Sequence, residues 1–333
     1  LCMNFNIVKN QVKRLGFVYN GVHHIYTFYL SCLKNWKRFK CRERIYSYGD
    51  DNPDKTFYVI GVNHTSAGLF AIVKSIGCHV IYAIQKGYIP VIDMQNFRSQ
   101  LNDGVNEGNA WEAYYKQPCN YGLGDIKHSK NIVVSSSLPY PDGVEIGFDT
   151  TLDKNSYDKY HDLFKQYIVP NVAVATYADM KYANVIADKK QVLGVLCRGT
   201  DYTENKPVGH SIQPSPQQAI DKVREVMAEQ GFQYVFLATE DKKIFDHFKH
   251  EFGDKLLFSG QKLYDGMNGK KYLSEIPVSC SAEKWQNIVD YYATIYILSK
   301  CDGLVAGLTC GSICSYFMTD GYEYVYFWNL GKY

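Results

Sequence analysis

Three short polar clusters hold the residues of this chain that are equipped for chemistry. In "LGVLCRGTD" (193–201) an apolar run ends abruptly in Arg198, Thr200 and Asp201. Thr239, Glu240 and Asp241 follow a second apolar run, and Thr309, Cys310, Gly311 and Ser312 follow a third. Arginine grips a phosphate through two parallel hydrogen bonds. A turn with a hydroxyl and a glycine that opens a helix offers backbone N–H groups to an anion. A diphosphate held between Arg198 and the 309–312 turn is the chemistry that suits these residues. Each cluster also has a plainer reading, because an Arg–Asp pair is commonly structural and a Thr/Ser-Gly turn is commonly a helix cap.

The elements that must position the clusters follow from periodicity. Val192–Cys197, Tyr234–Ala238, Leu256–Phe258, Gly303–Ala306 and Tyr324–Phe327 read as buried strands. Between the first two, Ser215, Pro216 and Gln218 supply an N-cap, a first-turn proline and a capping-box glutamine. Ile220, Val223, Val226 and Met227 form that helix's buried stripe, and Gly231 ends it. Ile244, Phe245 and Phe248 line the next helix. Trp285, Ile288, Val289, Tyr292, Ile295 and Leu298 line a long one. Earlier in the chain, Phe57–Val62, a helix from Leu69 to Ile84 and Ile89–Ile92 make a βαβ unit. Residues 94–150 are polar and irregular, and 156–188 read as helices broken near Pro170 that bridge two domains. Strands alternating with helices predict an α/β fold with parallel sheets, which binds ligands at the carboxyl ends of its strands. All three clusters fall at such ends.

Several function classes are disfavoured. No G-x-G-x-x-G follows the first strand and no G-x-x-x-x-G-K-[ST] occurs, which argues against an NAD-type oxidoreductase and a P-loop enzyme. No Asp-x-Asp stands at a strand end to hold a metal on a diphosphate, so Arg198 and helix-end amides would meet that charge. The 333 residues are 46% hydrophobic and 21% charged, enough to bury substantial cores. A net charge of +2 gives no sign of a nucleic-acid partner. The charge is uneven, however. Residues 1–45 hold nine Lys and Arg against Glu43, a local +8, so the remainder carries −6. The apolar run 15–33 is broken by Asn20, Gly21, His23 and His24, and reads as a docked helix or one lying on an anionic membrane surface rather than a span. Ten cysteines without a CxxC pair or zinc spacing fit a reducing cytoplasm. The 29 tyrosines suit either a core or a polar, carbohydrate-like ligand.

"LGVLCRGTD", "FLATED" and "LSKCDGLVAGLTCGS", in this order and spacing, resemble the fucosyltransferase superfamily, which includes α1,6-, nodulation and protein O-fucosyltransferases. The resemblance runs from about Lys55 to the C-terminus and is nearest to bacterial surface-polysaccharide members. It implies a GT-B-like fold of two Rossmann-like domains facing a cleft. Residues 55–185 would form the acceptor-side domain and 186–333 the nucleotide-sugar-binding domain, after a basic, aromatic helical extension over 1–54. It implies inversion at the sugar carbon, a GDP-fucose donor, no metal and no other cofactor. Carried onto this chain, Arg198 grips the diphosphate, and Asp201 closes that motif. Glu240 and Asp241 serve the nucleoside, Thr309–Gly311 the phosphates, and Asp290 is an acid at the start of the long helix. His210 and Gln213 lie where relatives place a His or Gln-Pro near the donor. Asn63 and His64 are expected to face the donor phosphates across the cleft.

The chain departs from the α1,6 pattern His-x-Arg-Arg-Thr-Asp-Lys. Leu196 replaces the His, Gly199 the second Arg and Tyr202 the Lys. The base that takes the acceptor's proton is therefore open between Asp201 and Glu204. The implied partners are the nucleotide-sugar donor and a glycan or lipid-linked oligosaccharide acceptor, met in the cytoplasm or at the inner face of the plasma membrane. The rival readings are the same fold with another nucleotide sugar, and an inactive glycan-binding or scaffold protein.

Overall fold

A computed structural model describes residues 42–64, 67–144, 154–267 and 272–333. The basic segment up to residue 41, and residues 65 and 66 of the small-residue loop after the first predicted strand, lie outside the described residues. Residues 42–54, assigned above to a helical extension, contain no helix. They carry the short exposed strand β1 (Arg44–Tyr46).

Two parallel sheets organise the rest. In the first half β2 (Phe57–Ile60) leads through helix α1 (Leu69–Gln85) to β3 (Ile89–Ile92). A one-turn helix α2 (Leu123–Ile126) precedes β4 (Ile132–Val134). Helices α3 (Lys154–Tyr167) and α4 (Val172–Val185) break around Pro170, as expected, because a proline cannot supply the N–H that a continuous helix needs. In the second half the order is β5 (Val192–Leu196), α5 (Thr200–Glu204), α6 (Pro216–Gln230), β6 (Tyr234–Ala238), α7 (Lys242–Phe252), β7 (Leu256–Leu257), α8 (Ser281–Ser299), β8 (Gly303–Gly307), α9 (Cys310–Met318) and β9 (Tyr324–Trp328). The caps of α6 are those the sequence specifies. Ser215 and Gln218 form the capping box, and Gly231 closes the helix with φ +79°.

The sheet orders are β1-β4-β2-β3 and β7-β6-β5-β8-β9. Strands β2 with β3 and β4, and all neighbours from β5 to β9, pair in parallel. In each sheet the chain winds outward on one side of a central strand and then returns to its other side. The switch points lie between β2 and β4 and between β5 and β8. Ligands of open α/β sheets bind beyond such points.

The core follows the two-residue period of the strands. Leu193 and Val195 join one cluster with α6 and α7, while Val192 and Leu196 face the other way. In the first sheet Phe57 and Val59 face an outer cluster, and Tyr58 and Ile60 turn inward. The inward faces share one large cluster that runs from Tyr58 through α1, α4 and α8 to Phe317. Helix α8 packs on α4, and α9 packs on both α1 and α3. Both sheets accordingly belong to one compact unit, Ile45–Tyr333. Among the described residues no helix is long and apolar enough to cross a membrane.

Candidate functional site

The carboxyl ends of β5 and β8 and the start of α1 border a cleft of about 510 Å³. Of the residues singled out above, Arg198, Asp201, His210, Glu240, Thr309, Cys310 and Gly311 line it.

Arg198 leaves the end of β5 into a brace of carboxylates. Its Nη2 donates to Asp201 Oδ1 at 2.8 Å, and its Nε lies 3.1 Å from Glu240 Oε1 as an ion pair without hydrogen-bond alignment. Its guanidinium sits over the Tyr202 ring, 5.0 Å from the centroid. Burial works against the Arg198 charge, but Glu240 and then Asp201 more than offset it and keep the group firmly protonated. Burial pushes the Glu240 carboxyl up, against the pull of Arg198. Glu240 Oε1 also accepts from Thr200 Oγ1 at 2.9 Å, and Asp241 Oδ2 accepts from Thr200 N at 3.0 Å. These bonds hold Thr200 at φ +42°, a conformation that is costly for a β-branched residue. A Cβ on Gly199 would come within 2.2 Å of Asp241 Oδ2. This close approach is a physical reason for glycine where the α1,6 pattern has its second arginine.

Two helix starts point into the cleft. No side chain caps the first turn of α1 at Gly68, and no acidic residue stands in it. At α9 the Thr309 and Ser312 side chains form a capping box, again without an acid in the first turn. Orphan N–H groups and the helix dipole at both sites favour an anion. Lys74, one turn into α1, lines the same cleft beside the ring of Tyr140, which follows β4. Among the described residues no group of three or more His, Cys, Asp or Glu side chains is placed to hold a metal ion.

The remaining expected residues lie elsewhere. Thr200 and Thr239 are buried behind the surface, and Asp241 caps α7 through Lys243 N and Ile244 N. Ser312 is buried within its cap. Gln213 is buried too, its Nε2 donating to the Ser211 and Leu308 carbonyls. Glu204 is exposed and does not line the cleft. Asp290 lies in the middle of α8 rather than at its start and faces away from the cleft, accepting from Tyr177 Oη and pairing with Lys181 of α4 at 3.7 Å. Asn63 is an exposed acceptor for Arg98 N. His64 is buried and lies 3.0 Å from Ser75 Oγ. Ser75 spends its proton on the Pro139 carbonyl, so His64 Nε2 is the donor to Ser75. Burial lowers the His64 ring to about 4.

Sequence reasoning missed the cleft face of α8. Lys284, Asn287, Ile288 and Tyr291 all line the cleft and recur at the i, i+3, i+4, i+7 spacing of one helical face. That signal was available, and it places Asp290 on another face. Gln261, Lys262, Tyr264 and Tyr272 come from the irregular segment after β7, where no periodicity marks them. The loop at His210 is held from the opposite end of the chain. Gly209 N and Tyr333 N exchange hydrogen bonds with Tyr333 O and His210 O, and Ile212 N donates to Gly331 O.

No protein-family model matches the chain, and no curated protein matches it. Solved structures are similar at low identity. NodZ alpha-1,6-fucosyltransferase soaked with GDP-fucose is 13% identical, with a TM-score of 0.46 over 80% of this chain and 93% of its own. A point mutant of Arabidopsis thaliana FUT1 in complex with GDP is 11% identical, with a TM-score of 0.44 over 84% and 72%. POFUT1 in complex with GDP-fucose is 15% identical, with a TM-score of 0.34 over 84% and 75%.

Proposed function

We propose that this protein is a glycosyltransferase of the fucosyltransferase superfamily that moves fucose from GDP-fucose to a hydroxyl of a bacterial surface glycan. The observation that carries the reading is a convergence. Arg198 on its carboxylate brace, the starts of α1 and α9, and Lys74 border one cleft beside the switch points of both sheets. Positive groups fixed in advance around a buried volume stabilise a charge that develops on a leaving diphosphate. The three motifs that resemble the superfamily supply the choice of donor.

In the proposed step the acceptor oxygen attacks the anomeric carbon with inversion. The bond to the diphosphate oxygen breaks, and its electron pair stays on that oxygen, where Arg198 and the helix-end amides meet it without a metal ion. The acceptor's proton passes to a carboxylate. Asp201 suits that role better than Glu204, since it lines the cleft and engages Arg198 through Oδ1 alone. The basic residues of 1–45 favour an anionic membrane surface at the cytoplasmic face, where a lipid-linked acceptor would be held.

Thermal-shift titration with GDP, UDP and CDP tests the donor. Ligand at about a hundred times its Kd adds about 2.7 kcal/mol of stability. Stabilisation by UDP but not GDP ends the fucose reading and leaves a different nucleotide sugar. GDP-fucose hydrolysis compared between the native protein and Arg198→Ala tests catalysis. Turnover that collapses in the variant is expected, and equal, negligible turnover in both points to a scaffold protein.

A further inference from the structure

Tyr291 is a cleft residue to which none of the motifs assigns a role. It lies on α8 one turn after Asn287 and Ile288. Three observations locate its hydroxyl. A Cβ on Gly311 would come within 2.6 Å of Tyr291 Oη, so the hydroxyl lies directly against the first turn of α9. The ring meets Phe70, the second residue of α1, edge to face with centroids 5.2 Å apart. Arg198, at the end of β5, lines the same cleft, near enough for its charge to act on the phenol. The hydroxyl therefore stands against the start of α9, on a ring that packs on the start of α1, in the cleft that Arg198 also lines. Among the described residues it has no hydrogen-bond partner. A phenol that seeks a partner at a positive focus is matched by an anionic oxygen.

We propose that Tyr291 Oη donates a hydrogen bond to the diphosphate of the bound nucleotide sugar, completing the cradle made by Arg198 and the first turn of α9. This rests on the donor-diphosphate reading above. Burial pushes the phenol above its ordinary value, so it keeps its proton through neutral pH and acts only as a donor. When the bond from sugar to diphosphate breaks, the oxygen that keeps the electron pair gains this hydrogen bond's stabilisation, and no proton leaves Tyr291. The requirement for glycine at 311 follows as well, because any larger residue displaces the hydroxyl.

Tyr291→Phe removes the hydroxyl and keeps the ring against Phe70. Calorimetric titration with GDP, inorganic pyrophosphate and guanosine separates the contributions. GDP and pyrophosphate affinity are expected to fall by about tenfold to a hundredfold, the range of one hydrogen bond to a charged group. Guanosine affinity and the Tm of the free protein are expected to hold. Gly311→Ala, whose methyl takes the hydroxyl's place, is expected to give a comparable loss with the phenol still present. Unchanged GDP and pyrophosphate affinity in Tyr291→Phe overturns the inference alone, provided the native protein binds GDP. An equal loss for guanosine also overturns it, by tracing the effect to the ring. A native protein that binds neither GDP nor pyrophosphate overturns the donor reading together with it.

Discussion

The two walls of the cleft present one ligand volume with opposite kinds of structure. The wall from β5 and β6 is charged and cross-braced at its surface, with Arg198 paired to both Asp201 and Glu240, and with Thr200 bonded to Glu240 and Asp241. The wall from α1 is an uncapped helix start of small and apolar residues carrying one lysine. Its polar braces lie behind the surface, where Ser75, itself bonded to His64, and His79 tie α1 to the loop after β4 through the Pro139 and Leu138 carbonyls. Charge that meets a ligand directly has its geometry fixed by other charge. Backbone amides need only the helix that carries them, and their bracing can be neutral.

That contrast can be broken from the charged side first. Arg198→Ala leaves two carboxylates buried without their cation, and breaking such a pair costs about 3–5 kcal/mol. Urea unfolding of the free protein is expected to show this loss, and a midpoint within error of the native value would mean the brace is not what holds the wall. On the other wall the test is acid. Burial holds both His64 and His79 at about 4 instead of 6.5. As the pH falls through 6.5 the unfolded chain takes up protons that the folded chain refuses until about 4. Stability is thus full above 6.5 and declines between 6.5 and 4, by up to about 3 kcal/mol per ring. Tm measured from pH 7 to pH 5 is expected to fall less steeply in His79→Gln, and a parallel fall would put the titration elsewhere.

Two smaller changes sharpen the same comparison. Gly199→Ala pushes a methyl into the Asp241 carboxylate, an overpacking cost of about 1–3 kcal/mol, and donor hydrolysis should fall with it as Thr200 shifts. Lys74→Met preserves the volume beside Tyr140. Its stability is expected to change by less than about 1.5 kcal/mol while GDP affinity weakens, as calorimetry would show. A Lys74→Met variant as unstable as Arg198→Ala would erase the distinction between the walls.

How far the sequence reveals these walls depends on how local the cause is. The strands and the capped helix α6 are legible because their signals lie within a few residues, as with Ser215, Gln218 and Gly231. Arg198, Asp201, Glu240 and Gly311 are legible because strand ends in a parallel sheet converge wherever the loops run. Strand β4 is hidden, since three residues in a polar stretch show no period. His64 looks like a ligand residue and is a brace, because its partner Ser75 comes from the next helix face and only the fold brings them together. The pairing of 209–212 with 331–333 joins segments more than a hundred residues apart, and nothing in either announces the other.

The single cluster of buried side chains shared by both sheets constrains how the cleft can open. Residues from Tyr58 to Phe317 pack without a break behind the cleft, and α8 and α9 each contact helices of the opposite half. Swinging the halves apart as rigid bodies would tear that continuous apolar layer, which close packing makes expensive. The molecule is accordingly unsuited to wide hinge opening. The rim is built differently, for Gly209, at φ +83°, and His210 line the cleft on a loop joined by backbone hydrogen bonds to residues 331 and 333. On the glycosyl-transfer reading proposed above, donor and product would pass over this short rim, above a floor that stays still.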